Sequence, residues 1–232
     1  MLALITRAAA EAERSAARLR ARGIDCLISP LLRMVDVAAD IPAHDFAAIV
    51  LTSARAAQSQ AVQRLPAPLK ALPLWVVGEK TCDAARAAGL TGPALTAPDA
   101  ATLAARIGKL GTTGPALYLA GADRKPDLER ELARLHVGLC ACVVYEAQAL
   151  DGLSEAARQA LSAGRIDAVL HYSRRSAELY AKAASSAGVP LDVARHVCLS
   201  EDVAGALRAL GATRIAVAAS PTESALIDAL VA

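Results

Sequence analysis

Short apolar runs along the chain alternate with longer segments in which apolar residues recur at helical spacing. Two of the runs, Ala48–Leu51 and Ile215–Ala218, are continuous, which is typical of strands covered on both faces. The predicted strands are Leu2–Thr6, Asp25–Ser29, Phe46–Thr52, Leu74–Gly78, Ala116–Ala120, Leu139–Tyr145, Asp167–Tyr172, His196–Leu199 and Arg214–Ala218. Helices lie between them, so the order predicts parallel α/β sheets with right-handed crossovers.

The helical segments carry their own start and stop signals. Ala10–Arg22 has apolar residues on one face, and Gly23 follows where a C-terminal cap belongs. Pro126–Leu135 begins with a proline, as helices often do. Ser220 starts a Ser-Pro-Thr-Glu run that predicts a capping box at the last helix.

The second half of the chain repeats the order of the first. Leu51–Arg55 matches His171–Arg175, and Val77–Thr81 matches Leu199–Val203, at an offset of roughly 115 to 122 residues. Chance similarity among alanine-rich helices is the alternative to duplication. The less regular segments 32–44 and 148–153 are predicted crossings between two domains. One domain would then combine residues 1–34 with 149–232, and 37–146 would be inserted into it.

Composition and net charge exclude several classes of protein. Apolar residues make up 55% of the chain and charged residues 21%, which suits a globular protein and excludes a disordered one. Aromatic residues are only 3% and the net charge is only +2, so neither a stacking platform nor a basic surface for nucleic acid is expected.

The cysteines and the N-terminus predict the compartment. The five cysteines are scattered, which indicates reduced thiols and a cytoplasmic protein. The chain starts without a basic leader and an apolar core, so no signal peptide is predicted. No apolar run approaches the roughly 18 residues of a membrane span, so we expect no membrane partner.

Several familiar catalytic motifs are absent from the sequence. There is no phosphate-binding P-loop, no Gly-x-Gly-x-x-Gly after the first strand and no Gly-x-Ser-x-Gly elbow. The four histidines have no ligand spacing, so no metal site is predicted.

Hydroxyls and small residues remain where predicted strands give way to helices. In parallel sheets ligands bind at the carboxyl ends of the strands, where helix N-termini favour anions. The substrate-binding candidates of this kind are Thr52, Ser53, Gly78, Thr81, Gly121, Ser173, Ser200 and Ser220. Ser53, Ser173 and Ser220 could each be ordinary helix caps instead.

Two arginines and a tyrosine complete the candidate set. Arg7 and Arg124 follow strands at equivalent places in the repeat, where a guanidinium can fork onto a carboxylate or form a surface ion pair. Tyr145 ends a strand beside a predicted crossing, and it is either a buried structural residue or a group that orients a leaving group. Because a phenol ionises only near about pH 10, hydrogen bonding is its more modest role.

In this order, the motifs resemble those of the uroporphyrinogen-III synthase family over nearly the whole chain. The matching pieces are Thr6-Arg7, Gly23–Pro30, Thr52–Ala56, Val76–Thr81, Val143–Tyr145, Tyr172-Ser173 and Ser220–Thr222. The resemblance implies two α/β domains joined by a two-stranded connection, with the first strands belonging to the C-terminal domain.

The resemblance also implies a reaction. Linear hydroxymethylbilane, which has eight carboxylates, would lose its hydroxyl and close through a spirocyclic intermediate to uroporphyrinogen III, with ring D inverted. No cofactor would be needed. The family's tyrosine falls on Tyr145 and would assist departure of the hydroxyl, and its hydroxyl-bearing loops fall on Ser53, Thr81 and Ser173.

One stretch departs from the family pattern. The family usually has Gly-x-x-Thr in the second half, and this chain has Ser200–Val203, which loses the threonine and adds the acidic Asp202. A non-catalytic paralogue, or a two-domain regulatory protein that binds small anions, is therefore the alternative to a synthase. A monomer is the default expectation for the assembly.

Overall fold

The computed structural model describes residues 1–111 and 114–232 of the chain. It divides into two compact units, which are Met1–Arg33 with Gln148–Ala232 (unit 1) and Met34–Ala147 (unit 2). The chain therefore passes from one unit to the other twice.

Each unit is built on one sheet. The strands are β1 Leu2–Ile5, β2 Asp25–Ile28, β3 Leu32–Asp36, β4 Ala48–Leu51, β5 Leu74–Val77, β6 Ala94–Ala97, β7 Ala116–Gly121, β8 Leu139–Ala149, β9 Ala168–His171, β10 Arg195–Cys198 and β11 Ile215–Val217. A five-stranded sheet has the order β11-β10-β9-β1-β2, and a six-stranded sheet has the order β3-β8-β7-β4-β5-β6. Neighbouring strands from β11 to β2 are parallel, as are those from β8 to β6.

Helices connect the parallel strands. They are α1 Ala9–Arg20, α2 Ala54–Ala57, α3 Gln60–Gln63, α4 Ala67–Lys70, α5 Glu79–Ala87, α6 Ala100–Ile107, α7 Asp127–Arg134, α8 Glu155–Ser162, α9 Arg174–Ser186, α10 Glu201–Ala209 and α11 Glu223–Val231. A 3₁₀ turn spans Leu191–Val193.

Burial explains why the central strand β4 is apolar throughout. All four residues of β4 are buried, since one face of its sheet packs on a core with Phe46 and Leu117 and the other on a core with Trp75 and Tyr118. In α1 the predicted apolar face is buried through Ala12, Ala16 and Leu19. The sheets therefore form the middle layers of the two units.

The predicted fold class is confirmed, because the first two strands lie in the sheet of the C-terminal strands and both sheets are mostly parallel. Four local predictions are wrong. The strand predicted to end at Tyr145 continues to Ala149 in β8, so Tyr145 lies inside it and the segment 148–153 predicted to be irregular begins within the strand. Leu32–Asp36 lies within a segment predicted to be irregular but forms β3 beside β8, and β6 was not among the predicted strands. The last helix begins at Glu223 with Thr222 as its cap, so the capping box predicted at Ser220 does not form.

Candidate active site

In unit 2 the sheet order gathers several candidate residues at neighbouring strands. Strands β8, β7, β4 and β5 are adjacent in that order. Tyr145 lies in β8, Gly121 ends β7, Thr52 and Ser53 follow β4, and Gly78 follows β5. Because parallel strands expose their carboxyl ends along one edge, the predicted cluster has a physical origin in the fold.

The Tyr145 and Ser53 side chains are in direct contact. The Tyr145 hydroxyl donates to Ser53 Oγ at 3.2 Å. Ser53 Oγ also accepts from the Arg55 amide at 3.1 Å, because Ser53 is the N-cap of α2. A serine hydroxyl keeps one proton of its own, so Ser53 can accept from Tyr145 and still donate to a ligand. Ser53 is thus a helix cap whose hydroxyl proton is still available to a ligand.

Arg55 extends this pair, although the sequence analysis did not select it as a site residue. Its guanidinium pairs with Asp36 at 2.6 Å, and its carbon lies 5.9 Å from the centroid of the Tyr145 ring. Asp36 also accepts from the Gln60 amide at 3.2 Å. The ion pair therefore keeps a cation beside the Tyr145 ring.

Thr52 and Tyr118 form a second hydroxyl pair, 2.9 Å apart. Tyr118 carries no signal of a site in the sequence, since it lies inside an apolar strand and is only 2% exposed. Burial raises the pKa of Tyr118 above that of an ordinary tyrosine, which keeps its phenol neutral. The pair is therefore a fixed, uncharged hydrogen bond beneath the strand ends.

Arg124 has partners within unit 2. Its Nε donates to Glu129 at 2.7 Å, and its Nη1 donates to the carbonyl of Gly121 at 3.2 Å. The guanidinium carbon lies 5.8 Å from the centroid of the Tyr118 ring. These contacts orient Arg124 next to the end of β7. One edge of its guanidinium already binds the carboxylate of Glu129.

Gly78 and Thr81 form the start of α5. Gly78 has φ of +83°, a conformation that favours glycine, and its carbonyl accepts from the Thr81 amide at 3.1 Å. The Thr81 side chain is only 6% exposed. First-turn amides have no partner within a helix, and in this turn Glu79 and Lys80 are exposed residues whereas Thr81 is buried.

In unit 1 Arg7 meets an internal carboxylate. Its guanidinium carbon lies 4.1 Å from the centroid of the Tyr172 ring, and its Nη1 lies 3.6 Å from Glu223. The Glu223 carboxylate also accepts from the hydroxyls of Ser15 and Tyr172 and pairs with Arg18. Of the two sequence interpretations of Arg7, the structure has an ion pair, and the pair is partly buried.

The three candidate serines of unit 1 differ from one another. Ser173 caps α9 and accepts from the Ser176 amide at 3.2 Å. Ser200 is at the N-cap position of α10 but makes no cap hydrogen bond with its side chain. Ser220 precedes the true cap of α11, and its Oγ lies 3.2 Å from Thr222 Oγ1. Of these three helix starts, that of α10 is therefore the one whose serine hydroxyl forms no hydrogen bond within the helix start.

The structure also accounts for Asp202, the acidic departure from the family pattern. Its carboxylate lies 3.3 Å from Nη1 of Arg174, the first residue of α9. Arg174 also pairs with Glu178 at 2.9 Å, so Asp202 shares an exposed cation with a second carboxylate and its charge is only partly offset.

We expect Glu223→Gln to lower the free energy of unfolding by about 1–3 kcal/mol, because a partly buried carboxylate bonded to two arginines would be lost. Urea denaturation measures the change. Asp228→Asn is the matched control, since it removes an exposed ion pair between α11 and Arg22, in the turn that follows α1. Such exposed pairs contribute about 0–1 kcal/mol. Equal losses in the two variants would contradict the importance of Glu223.

Neither a metal centre nor a membrane span is found among residues 1–111 and 114–232. No group of three or more His, Cys, Asp or Glu side chains there is arranged to hold a metal ion. No helix in the same ranges is long and apolar enough to cross a bilayer. All five cysteines are free thiols.

Comparison with known proteins identifies the family. The model of the family uroporphyrinogen-III synthase HemD matches residues 13–228. Among solved structures, uroporphyrinogen-III synthetase from Helicobacter pylori 26695 is similar with a TM-score of 0.64 and 16% identity, covering 100% of this chain and 99% of that one. A mutant uroporphyrinogen III synthase from the extremely thermophilic bacterium Thermus thermophilus matches with a TM-score of 0.49 and 15% identity, covering 100% and 98%. No curated protein matches the sequence. Because the family model spans almost the whole chain, this protein belongs to the uroporphyrinogen-III synthase family.

Proposed function

We propose that this protein is a uroporphyrinogen-III synthase of haem biosynthesis. It closes linear hydroxymethylbilane to uroporphyrinogen III, with inversion of ring D and loss of water, which makes it a cyclising hydro-lyase. The observation that carries the proposal is the family match over residues 13–228. The hydroxyl pairs at the strand ends of unit 2 agree with a substrate that must lose a hydroxyl group.

Tyr145 is the proposed catalytic residue. The pyrrole nitrogen of the substrate expels the hydroxyl, and the Tyr145 phenol donates a hydrogen bond to the departing oxygen. In the free protein the single phenol proton is donated to Ser53. When it turns to the departing oxygen, Ser53 donates its own proton to the phenol oxygen and so keeps the phenol oriented. Positioning and charge stabilisation supply most of the rate, since no covalent bond to the protein is required.

The substrate carboxylates are proposed to bind at helix starts and arginines of each unit. In unit 2 the groups are Thr52, Ser53, Gly78, Thr81, Gly121 and Arg124, and in unit 1 they are Arg7, Ser173, Ser200 and Ser220. Helix N-termini suit carboxylates without a strong net positive charge. Arg7 and Arg124, which already contact Glu223 and Glu129, would then share their remaining donors with the substrate.

We further propose that the protein acts without a cofactor, as a monomer in the cytoplasm, with no nucleic-acid or membrane partner. The net charge of +2 and the five free thiols support this assignment. The same proposal covers the domain limits, with residues 37–146 folding as an insertion between 1–34 and 149–232.

The alternative of a non-catalytic paralogue or regulatory anion-binding protein is not favoured. It depended on the Ser200–Val203 departure, and the family match over residues 13–228 includes that stretch. The start of α10 keeps its backbone amides for an anion.

The decisive experiment is an isomer assay. Freshly generated hydroxymethylbilane is incubated with the protein, and the uroporphyrinogen isomers are separated after oxidation. We expect mainly type III product, whereas a sample without protein gives type I by uncatalysed closure. Formation of type I alone in the presence of folded protein would refute the proposed function.

A further inference from the structure

A bulge in β8 determines which way Tyr145 faces. Ala120 of β7 is paired with Val143, but the next residue, Gly121, is paired with Tyr145, so Val144 is the extra residue. The Ala122 amide then donates to the Tyr145 carbonyl at 2.9 Å, which closes the pairing beyond the bulge.

The bulge changes the alternation of side chains. Neighbours along a regular strand point to opposite faces, yet Val144 and Tyr145 both pack against the core cluster that contains Leu117 and Leu119. Bulges are known to redirect side chains next to active sites. In this chain the extra residue turns Tyr145 toward Ser53, where its hydroxyl makes the 3.2 Å bond.

Gly121 leaves the space that the redirected ring occupies. A Cβ atom on Gly121 would lie 2.6 Å from Tyr145 Cζ, 2.7 Å from its hydroxyl oxygen and 2.9 Å from Cε2. These are distances that real Cβ atoms do not show, so the ring would have to move. Positive φ does not explain this glycine, because Gly121 is not among the residues with positive φ. The requirement for glycine is therefore steric.

We propose that Gly121 is a positioning residue, which together with the bulge at Val144 seats the Tyr145 hydroxyl on Ser53. The proposal rests on the proposed function in so far as Tyr145 serves the reaction. A methyl group at Gly121 displaces the end of the ring, which belongs to a side chain that can rotate, while the strand stays paired. Activity therefore falls more than stability.

The test is a double-mutant cycle of Gly121→Ala and Tyr145→Phe, with kcat, KM and melting temperature measured for each. Gly121→Ala lowers kcat by about tenfold or more, as loss of one oriented hydrogen bond would. The double variant is slower than Tyr145→Phe by no more than about twofold, because residues that act through one group are not additive. Gly205→Ala, whose Cβ meets nothing within 4 Å, keeps the wild-type kcat.

A second readout does not depend on activity. The protein has four tyrosines, and NMR of a ring-labelled sample resolves Tyr145 by its loss in Tyr145→Phe. Gly121→Ala shifts the Tyr145 ring resonances, and Gly205→Ala leaves them in place. The proposal is overturned if those resonances do not move, if kcat is unchanged in Gly121→Ala, or if the two losses of the cycle add fully. The isomer assay on the wild-type protein separates these outcomes from failure of the synthase function.

Discussion

Replacing Tyr145 with phenylalanine is expected to slow turnover by about tenfold to a hundredfold, with little change in stability. The substitution removes only the hydroxyl that donates to Ser53. The ring keeps its packing over Gly121 and against the core beside Val144. A hydrogen bond to a group that gains charge contributes about 1.5–3 kcal/mol, and each 1.36 kcal/mol of barrier corresponds to about tenfold in rate.

The measurement is single-turnover conversion of hydroxymethylbilane, followed with the isomer ratio and the melting temperature. Tyr180→Phe is the matched control, since the Tyr180 hydroxyl is buried and has no hydrogen-bond partner in the described part of the chain. It is expected to turn over at the wild-type rate. If Tyr145→Phe does the same, Tyr145 has no catalytic role.

The order of elements could be predicted because a strand that is buried on both faces consists of consecutive apolar residues. Strand β4 and most other strands have this pattern. Strand β3 could not be predicted in this way, since most of its residues are exposed or half-buried and include Arg33 and Asp36. Its strand character comes from lying beside β8, a neighbour distant in sequence. Local patterns do not report such a contact.

Only those site residues that lie next to the end of a predicted strand could be selected from the sequence. The sequence predicted that Tyr145 and Ser53 lie at the ends of two strands. It did not predict that β8 continues to Ala149, or the bulge at Val144, which depends on register across two strands. In unit 1 the partner of Arg7 likewise could not be predicted from local sequence. Its partner Glu223 lies at the far end of the chain, and only the packing of α11 beside α1 brings the two together.

Two histidines form a buried pair in the core of unit 1. His171 and His196 are both fully buried, and His171 Nε2 lies 3.0 Å from His196 Nδ1. His196 Nε2 lies 2.9 Å from the Leu191 carbonyl, which can only accept, so His196 donates there and accepts from His171. His171 Nδ1 is left without a partner in the described residues. The arrangement suits two neutral rings.

An added proton would bind His171 Nδ1, which has no hydrogen-bond partner among the described residues. Burial, with a smaller contribution from His196, holds the pKa of His171 well below its usual value. Burial also lowers the pKa of His196, although the Leu191 carbonyl and Asp192 partly offset the effect. Since unfolded histidines bind protons below about pH 6.5 and the buried ones do not, the unfolded state takes up more protons as the pH falls.

We therefore expect the free energy of unfolding to decrease as the pH falls from about 6.5 toward 5, with a slope of at most about 1.4 kcal/mol per pH unit for each histidine. Urea denaturation at closely spaced pH values measures this slope. Carboxylates contribute little there, because they titrate mainly below about pH 5.

His171→Phe should flatten the dependence on pH, whatever its effect on stability at neutral pH, because the phenylalanine ring has no proton to gain. His136→Asn is the control: His136 is exposed and has φ of +56°, which asparagine tolerates, so its slope should match the wild type. Equal slopes in wild type and His171→Phe would mean that the neutral pair does not cause the loss of stability in acid.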